Sequence, residues 1–449
     1  MSKRINHIIS EIKDQYLIGD NLRPWIIGFS GGKDSTALLQ LVWYAIKQVP
    51  LQERKREVHV VCNDTLVENP IIQSYVSEIL NKIKDVSASS DMPIRVDTTI
   101  PRLEDTFWVN VIGRGYPVPN NTFRWCTDKM KIKPTSRYLT DKVAENGEAI
   151  ILIGTRSSES ATRAKSIKKH EIRGKRLTNH PHNPNTYVYS PIKELYLEEV
   201  WYIINAMTSP WGADNSRLFQ IYMDASADDY ECPTVVTDKS HSSCGQSRFG
   251  CWTCTVVKED KSLKALVNNG ETWLRPLLDL RASMFDERNI STNRLPTRRN
   301  GQVAVTEDGH NQGNYTAEYR IRLLEQVLQA QRTIQSERPY IELITNQELV
   351  AIQVIWYRDT AHYENLKFSK TVSSVYNKIY DKEIEMERHA KKIQREIDLL
   401  KSVCVDEPSD YELITELLNL QRNKALLNRK RGLKDDIERV IEKYLNKAV

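Results

Sequence analysis

Trp25-Ile26-Ile27-Gly28-Phe29-Ser30-Gly31-Gly32-Lys33-Asp34-Ser35 is the stretch that decides the fold. A short apolar run, expected as a strand, ends in a glycine-rich turn. Ser35 to Lys47 (STALLQLVWYAIK) then carries apolar residues at helical spacing. Strand, tight turn and helix in that order predict an anion site. Two glycines let backbone N–H groups approach phosphate oxygens, and the new helix points its unsatisfied donors the same way. Ser30 and Ser35 add hydroxyls, Lys33 a cation, and Asp34 a carboxylate suited to helping hold Mg²⁺. The spacing is not the GxxxxGK[ST] of a Walker A loop.

Strands and helices alternate on either side of this turn. Val58-His59-Val60-Val61-Cys62 reads as a second buried strand, a helix follows Pro70, and Ile94-Arg95-Val96 reads as a third strand. Ala149-Ile150-Ile151-Leu152-Ile153-Gly154 is the clearest strand, and Leu197 to Met207 reads as a helix. Such alternation predicts an α/β fold, a parallel sheet with helices on both faces. Beyond about Leu263 the pattern changes. Tyr315 to Gln331, Asn346 to Tyr357 and Ser369 to Val403 are charged stretches with apolar positions every three or four residues. Residues 1–264 are therefore expected to form the nucleotide-binding domain and 265–449 a mainly helical accessory region. Within the latter, Arg281 to Gln302 is expected to be irregular, and Ser369 to Val403 to pair with the final helix.

The 449 residues are 40% hydrophobic and 27% charged, enough for a sizeable core. No apolar run reaches the length of a membrane span, and the N-terminal MSKRINHIISEIKDQ is an amphipathic helix pattern without a signal-peptide h-region. A cytoplasmic protein is expected. Net charge is +5, and its placement is uneven. Arg422 to Val449 holds nine Lys/Arg against four Asp/Glu, and seven bases between Arg163 and Arg176 face Glu171 alone. Two local basic patches on a balanced chain suggest two contact surfaces. Of seven cysteines, four fall within the 23 residues from Cys232 to Cys254. In a cytosolic chain such clustering points to metal or redox chemistry.

SGGKDS after the first strand resembles the PP-loop ATP pyrophosphatase superfamily, which releases pyrophosphate and activates an oxygen as its adenylate. Cys62-Asn63-Asp64-Thr65 follows the second strand, where relatives bind adenosine, so the resemblance implies a nucleotide role for Asn63, Asp64 and Thr65. Gly154-Thr155-Arg156-Ser157-Ser158-Glu159-Ser160-Ala161-Thr162-Arg163 resembles the GxRxxES..R segment of the phosphoadenylylsulfate reductase branch. Ser190-Pro191-Ile192-Lys193-Glu194 and Glu199-Val200-Trp201 resemble its next motif. Arg156 and Arg163 suit bidentate phosphate contacts, although Glu159 and Arg163 also have the spacing of a helical surface pair.

Cys251-Trp252-Thr253-Cys254 is a CxxC, with Cys244 and Cys232 before it and Cys126 near the bases Lys129, Lys131 and Lys133. Thiolates at this density suit tetrahedral Zn²⁺ or a [4Fe–4S] cluster. Cys126, Cys232, Cys251 and Cys254 are the expected ligands, leaving Cys244 as a sulfur carrier; Cys62 reads as strand filler and Cys404 as part of the helical region. Glu231-Cys232-Pro233 followed by Ser247-Arg248-Phe249-Gly250-Cys251-Trp252-Thr253-Cys254-Thr255-Val256-Val257 resembles the DndC family, sulfurtransferases of bacterial DNA phosphorothioation. Gly313-Asn314-Tyr315-Thr316 with Arg320, and Leu343-Ile344-Thr345-Asn346-Gln347-Glu348-Leu349 with Trp356, resemble that family's helical extension.

This resemblance implies ATP, Mg²⁺ and a [4Fe–4S] cluster as cofactors, with a cysteine desulfurase, other Dnd subunits and DNA as partners. It implies that a DNA phosphate oxygen is adenylated and then replaced by sulfur from a persulfide or the cluster, with Lys33, Asp34, Arg156, Arg163 and Cys244 in the catalytic machinery. Phosphoadenylylsulfate reductase-like or tRNA-thiolating chemistry, or an ATP-gated scaffold, are the competing readings. The chain lacks the adjacent Cys-Cys pair and C-terminal cysteine of such reductases.

Overall fold

The computed structural model describes residues 2–18, 23–172, 174–224, 250–299, 302–359, 370–375, 395–405, 408–425 and 433–445. The chain forms two compact units. One comprises Met1–Phe107, Pro117–Ile290 and Thr333–Leu343; the other comprises Trp108–Tyr116, Ser291–Arg332 and Ile344–Val449.

The first unit is built on a six-stranded sheet: β1 (Trp25–Gly28), β2 (Val58–Asn63), β3 (Ile94–Thr99), β4 (Ala149–Leu152), β5 (Leu177–Asn179) and β6 (Thr186–Tyr189), in the order β3-β2-β1-β4-β6-β5. β1 and β4 are buried along their whole length, which is why they read as unbroken apolar runs. Side chains alternate between two cores. Trp25, Ile27, Val58, Val60, Ile150 and Leu152 face one side, and Ile26, Val61, Ala149, Ile151 and Val188 the other.

The larger core lies under α1 (Ser2–Leu17), α2 (Lys33–Lys47) and α3 (Pro70–Ser89). α1 contributes Ile5, Ile8, Ile9, Ile12 and Tyr16, one face at helical spacing. α3 begins where Asn69 accepts a hydrogen bond from the Ile71 N–H and Pro70 fits the first turn. The opposite face is covered by α4 (Lys133–Asn146), through Tyr138, Leu139 and Val143. Gly147, at φ +79°, ends that helix.

The sheet is not wholly parallel. β5 runs antiparallel to β6, pairing Leu177 with Tyr189. A three-residue edge strand carries too little pattern to announce itself. Strand order reverses at β1, which lies between β2 and β4, both parallel to it. The loops after β1, β2 and β4 therefore emerge at one edge of the sheet, where α/β folds bind ligands.

α5 (Ala161–His170), α6 (Leu197–Ala206), α7 (Ser216–Asp224), α8 (Lys261–Asn268) and α9 (Arg275–Glu287) complete the unit. α9 corrects the expectation of an irregular stretch from Arg281. Leu277, Leu280, Arg281 and Met284 are buried at helical spacing, so the arginine faces inward like its apolar neighbours.

The second unit takes α10 (Ala317–Gln335) as far as Arg332, with Leu323, Leu324, Val327 and Leu328 buried, and α11 (Asn346–Asp359), with Ile352 buried. The motif residues here are structural. Arg320 Nε donates to the Ile112 carbonyl at 2.7 Å and Trp356 Nε1 to the same carbonyl at 2.9 Å. Gly313 lies so close to the Leu295 and Thr297 carbonyls that no side chain fits. The helix Leu433–Leu445 packs along Pro408–Ala425, where Tyr444 donates to Asp410 at 2.5 Å. Most of 369–403, expected to pair with the final helix, lies outside the described residues.

Leu38 is fully buried in the sheet-facing core. Leu38→Ala is expected to lower the unfolding free energy by about 2–5 kcal/mol, seen as an earlier urea midpoint with an unchanged slope.

Candidate functional site

The turn between β1 and α2 is braced by its own side chains. Gly31 takes φ +75°, a conformation that favours glycine. Ser30 Oγ lies 3.2 Å from Ser35 Oγ, Gly32 N–H donates to Ser30 Oγ at 3.4 Å, and Ser35 Oγ donates to the Gly32 carbonyl at 3.0 Å. The Lys33 N–H donates to the Tyr222 hydroxyl at 3.0 Å, and Lys33 Nζ stands 5.2 Å from the centre of the same ring. Burial lowers the Lys33 pKa, and the adjacent Asp34 carboxylate opposes that shift.

Asp34 bridges two cations. Its Oδ2 is 3.2 Å from Lys33 Nζ, and its Oδ1 accepts from Arg156 Nε at 2.6 Å. Arg156 comes from the loop after β4 and is itself buried, donating also to Ser158 Oγ at 3.0 Å. Glu159 accepts from the Arg156 N–H at 3.3 Å and from Arg163 Nη1 at 2.8 Å. The Glu159–Arg163 pair thus has the anticipated i,i+4 spacing, but it is packed into the site instead of lying on an open surface. Burial of Glu159 raises its pKa to about 6, against the opposing pull of Arg163. Gly154 permits the arrangement: a Cβ there would stand 3.0 Å from the backbone of Asp34.

The segment after β2 faces two ways. Asn63 accepts from Thr99 Oγ1 at 2.9 Å and donates to the Met130 carbonyl at 3.1 Å. Asp64 accepts from the Leu66 N–H at 2.8 Å, bending the chain so that Leu66 takes φ +64°. Thr65 Oγ1 then donates to Glu68 at 2.7 Å and lies 3.3 Å from Cys251 Sγ. The Trp252 N–H donates to the Val67 carbonyl, so the cysteine loop is stitched by backbone to the segment after β2.

Cys251 and Cys254 form a tight turn, the Cys254 N–H donating to the Cys251 carbonyl at 3.1 Å. Arg281 of α9 and Arg288, which caps the C-terminal end of that helix, hold the carbonyls of this segment. Arg281 donates to Cys254 at 3.0 Å, to Lys258 at 2.9 Å and to Val257, and Arg288 donates to Thr255. Burial pushes the Cys251 thiol well up, and the nearby Glu68 carboxylate adds to the effect. Burial also raises Glu68, with Lys131 as the cation that opposes both shifts. Lys129 pairs with Asp105 at 2.6 Å. Cys126 starts the π-helical turn Thr127–Ile132 and bears electrostatically on Cys251. Cys62 is buried in β2, as expected for strand filler.

The sequence pattern of the phosphoadenosine phosphosulfate reductase domain matches residues 24–257, just over half of the chain, from β1 through the cysteine loop. The chain belongs to the phosphoadenosine phosphosulfate reductase domain family. An uncharacterized protein of Methanocaldococcus jannaschii is 25% identical over 173 residues, which are 38% of this chain and 28% of that protein. The phosphoadenylyl-sulfate reductase of Candida auris, solved as a phosphate complex, is similar at 12% identity and a TM-score of 0.29, covering 46% of this chain and 87% of that one. The U34-tRNA thiolase NcsA of Methanococcus maripaludis, solved with its [4Fe–4S] cluster, is similar at 14% identity and a TM-score of 0.28, covering 63% and 79%. No described helix is long and apolar enough to cross a membrane.

In this reductase-family domain, Ser30 to Ser35, Gly154, Arg156 and Arg163 come together as one site, with Asn63, Asp64 and Thr65 on the neighbouring strand end. The expected metal ligands Cys126, Cys251 and Cys254 share one region. Cys232, and Cys244 as sulfur carrier, lie outside the described residues. Among the described residues no group of three or more His, Cys, Asp or Glu is arranged to hold a metal ion. Tyr222, Glu68, Arg281 and Arg288 were not apparent as site residues in the sequence. Only Arg281 left a trace, a charge on the apolar spacing of its helix.

Gly154→Ala is expected to cost about 1–3 kcal/mol at the crowded Asp34 backbone. ATP affinity by titration calorimetry should fall roughly ten- to a hundredfold. Glu159 has a folded pKa of about 6 against an ordinary value of 4.5, so the folded state holds the proton more tightly. Its contribution to stability is present below about 4.5 and declines as pH rises through about 6. The unfolding free energy of wild type minus Glu159→Gln should therefore fall by about 2 kcal/mol across that window, measured by urea titration.

Proposed function

We propose that the chain is an ATP-dependent sulfurtransferase that adenylates a phosphate oxygen of the DNA backbone, releases pyrophosphate and installs sulfur in place of that oxygen. The observation that carries this reading is the stitching of the cysteine loop, through Thr65 and Val67, to the strand end beside the phosphate loop. Nucleotide chemistry and a thiol site then share one edge of one sheet. Membership of the reductase-domain family supports sulfur chemistry, and the SRFGCWTCTVV stretch, with its likeness to DndC, supports DNA as acceptor.

ATP with Mg²⁺ lies with its phosphates on the Ser30–Ser35 turn. Lys33 and the turn amides stabilise charge on departing pyrophosphate. The Lys33 N–H must exchange the Tyr222 hydroxyl for a phosphate oxygen. Arg156 is fixed by Asp34, so its remaining N–H groups are oriented before substrate arrives. The acceptor oxygen attacks the α-phosphorus and pyrophosphate leaves. A cysteine persulfide then attacks the activated phosphorus, and AMP leaves with the oxygen. A second thiol cuts the resulting S–S bond, leaving sulfur on phosphorus and a cysteine disulfide for an external reductant. A cysteine desulfurase supplies the persulfide sulfur, and other Dnd subunits present the DNA. Cys126, Cys251 and Cys254 would contribute thiolates to a [4Fe–4S] cluster, which would supply redox or sulfur-carrying chemistry when bound.

The test is mass spectrometry of nuclease-digested host DNA from wild type, a gene deletion and Cys251→Ser. Sulfur-containing dinucleotides should be present in the first and absent from the other two. Sulfur-free DNA in a wild type with its native gene neighbours overturns the DNA acceptor. Asp34→Ala should reduce pyrophosphate release by about a hundredfold or more, and release that persists unchanged removes the loop from the chemistry.

A further inference from the structure

α5 follows directly from the Arg156–Glu159 turn. Ser160 caps it by accepting from the Arg163 N–H at 3.2 Å. Its ten residues, ATRAKSIKKH, contain no acid. Arg163 turns back to Glu159, inside the site. Lys165, Lys168 and Lys169 are exposed, and their i, i+3, i+4 spacing places them on one face. Among the described residues none of the three forms an ion pair, nor does exposed Lys175 just beyond the helix.

Neighbouring charges behave differently. Arg176 is engaged by Glu11 and Asp14, and Glu171, the acid next to this helix in sequence, pairs with Lys193 and feels Lys168 through space only. Lys168 and Lys169 lie in the last turn, where the helix dipole favours cations. Lys165 and Lys175 stand outside that turn, so the dipole does not account for the whole stripe. A row of exposed lysines without ion pairs among the described residues, on a short helix rooted in a phosphate-type site, matches a partner carrying regularly spaced negative charge.

We propose that the exposed face of α5, with Lys165, Lys168 and Lys169, is a docking surface for a polynucleotide backbone and leads it toward the Arg156 site. The surface reads phosphates and not bases, since lysine contacts of this kind position a strand without specifying its sequence. The inference deepens the DNA reading given above and rests on it for the choice of DNA over RNA, but it does not depend on sulfur transfer.

The test uses the full chain and the triple variant Lys165→Gln/Lys168→Gln/Lys169→Gln. Fluorescence anisotropy is followed with duplex DNA and separately with tRNA over a salt series, and ATP binding by each protein serves as the folding control. Loss of three phosphate contacts should weaken binding to duplex DNA and flatten the plot of log affinity against log salt by about 2.7 in slope. A change of this kind with DNA supports both the surface and DNA as acceptor. The change with tRNA alone supports the surface and overturns DNA as its occupant. Unchanged affinity and slope for both polymers, with ATP binding intact, overturns the surface. The sulfur reaction would then still stand or fall on the dinucleotide measurement.

Discussion

The Asp34 carboxylate, shared between Lys33 and Arg156, is the interaction on which the site depends. It joins the loop after β1 to the loop after β4 across neighbouring parallel strands. Two buried cations this close to one another would be costly without the anion between them. The same bridge sets the direction of both bases. Gly154 is part of this constraint, because the backbones of the two loops meet where any side chain would intrude.

A second set of constraints fixes the cysteine loop. Its backbone pairs with the segment after β2, and Thr65 and Glu68 lie against the Cys251 thiol. From the other side, Arg281 and Arg288 hold the carbonyls of residues 254, 255, 257 and 258. Backbone carbonyls left buried without donors would be expensive, and a guanidinium satisfies several in one geometry. The strained Leu66 backbone lies where these elements converge, held by the Asp64 side chain. The cysteine loop is therefore positioned by the short connection after β2 on one side and by two arginines on the other.

The motif residues of the second unit have a different character. Tyr315, Arg320 and Trp356 satisfy or pack around the backbone of residues 112–115. Their chemistry is that of a core with polar anchors, in which buried tryptophan and arginine find backbone acceptors. A sequence likeness that spans such residues speaks to a shared scaffold, whereas likeness in Ser30–Ser35 and Cys251–Cys254 speaks to chemistry.

The sequence by itself determined the parallel core strands, the turn that follows β1 and the helices whose apolar residues recur at fixed spacing. Those features are local: a buried strand must be apolar throughout, and a phosphate turn needs glycines beside a helix start. It also marked Arg156 and Arg163 by their place after the clearest strand. Tertiary structure alone decided that Arg156 clasps Asp34 while Arg163 turns to Glu159, and that Lys131 bears on Cys251. It alone placed Tyr222 on the Lys33 amide, added the antiparallel β5 and turned Arg281 inward. These outcomes pair residues far apart in the chain. Their geometry follows from strand order and from the burial of polar groups that must find partners, which no short window of sequence records.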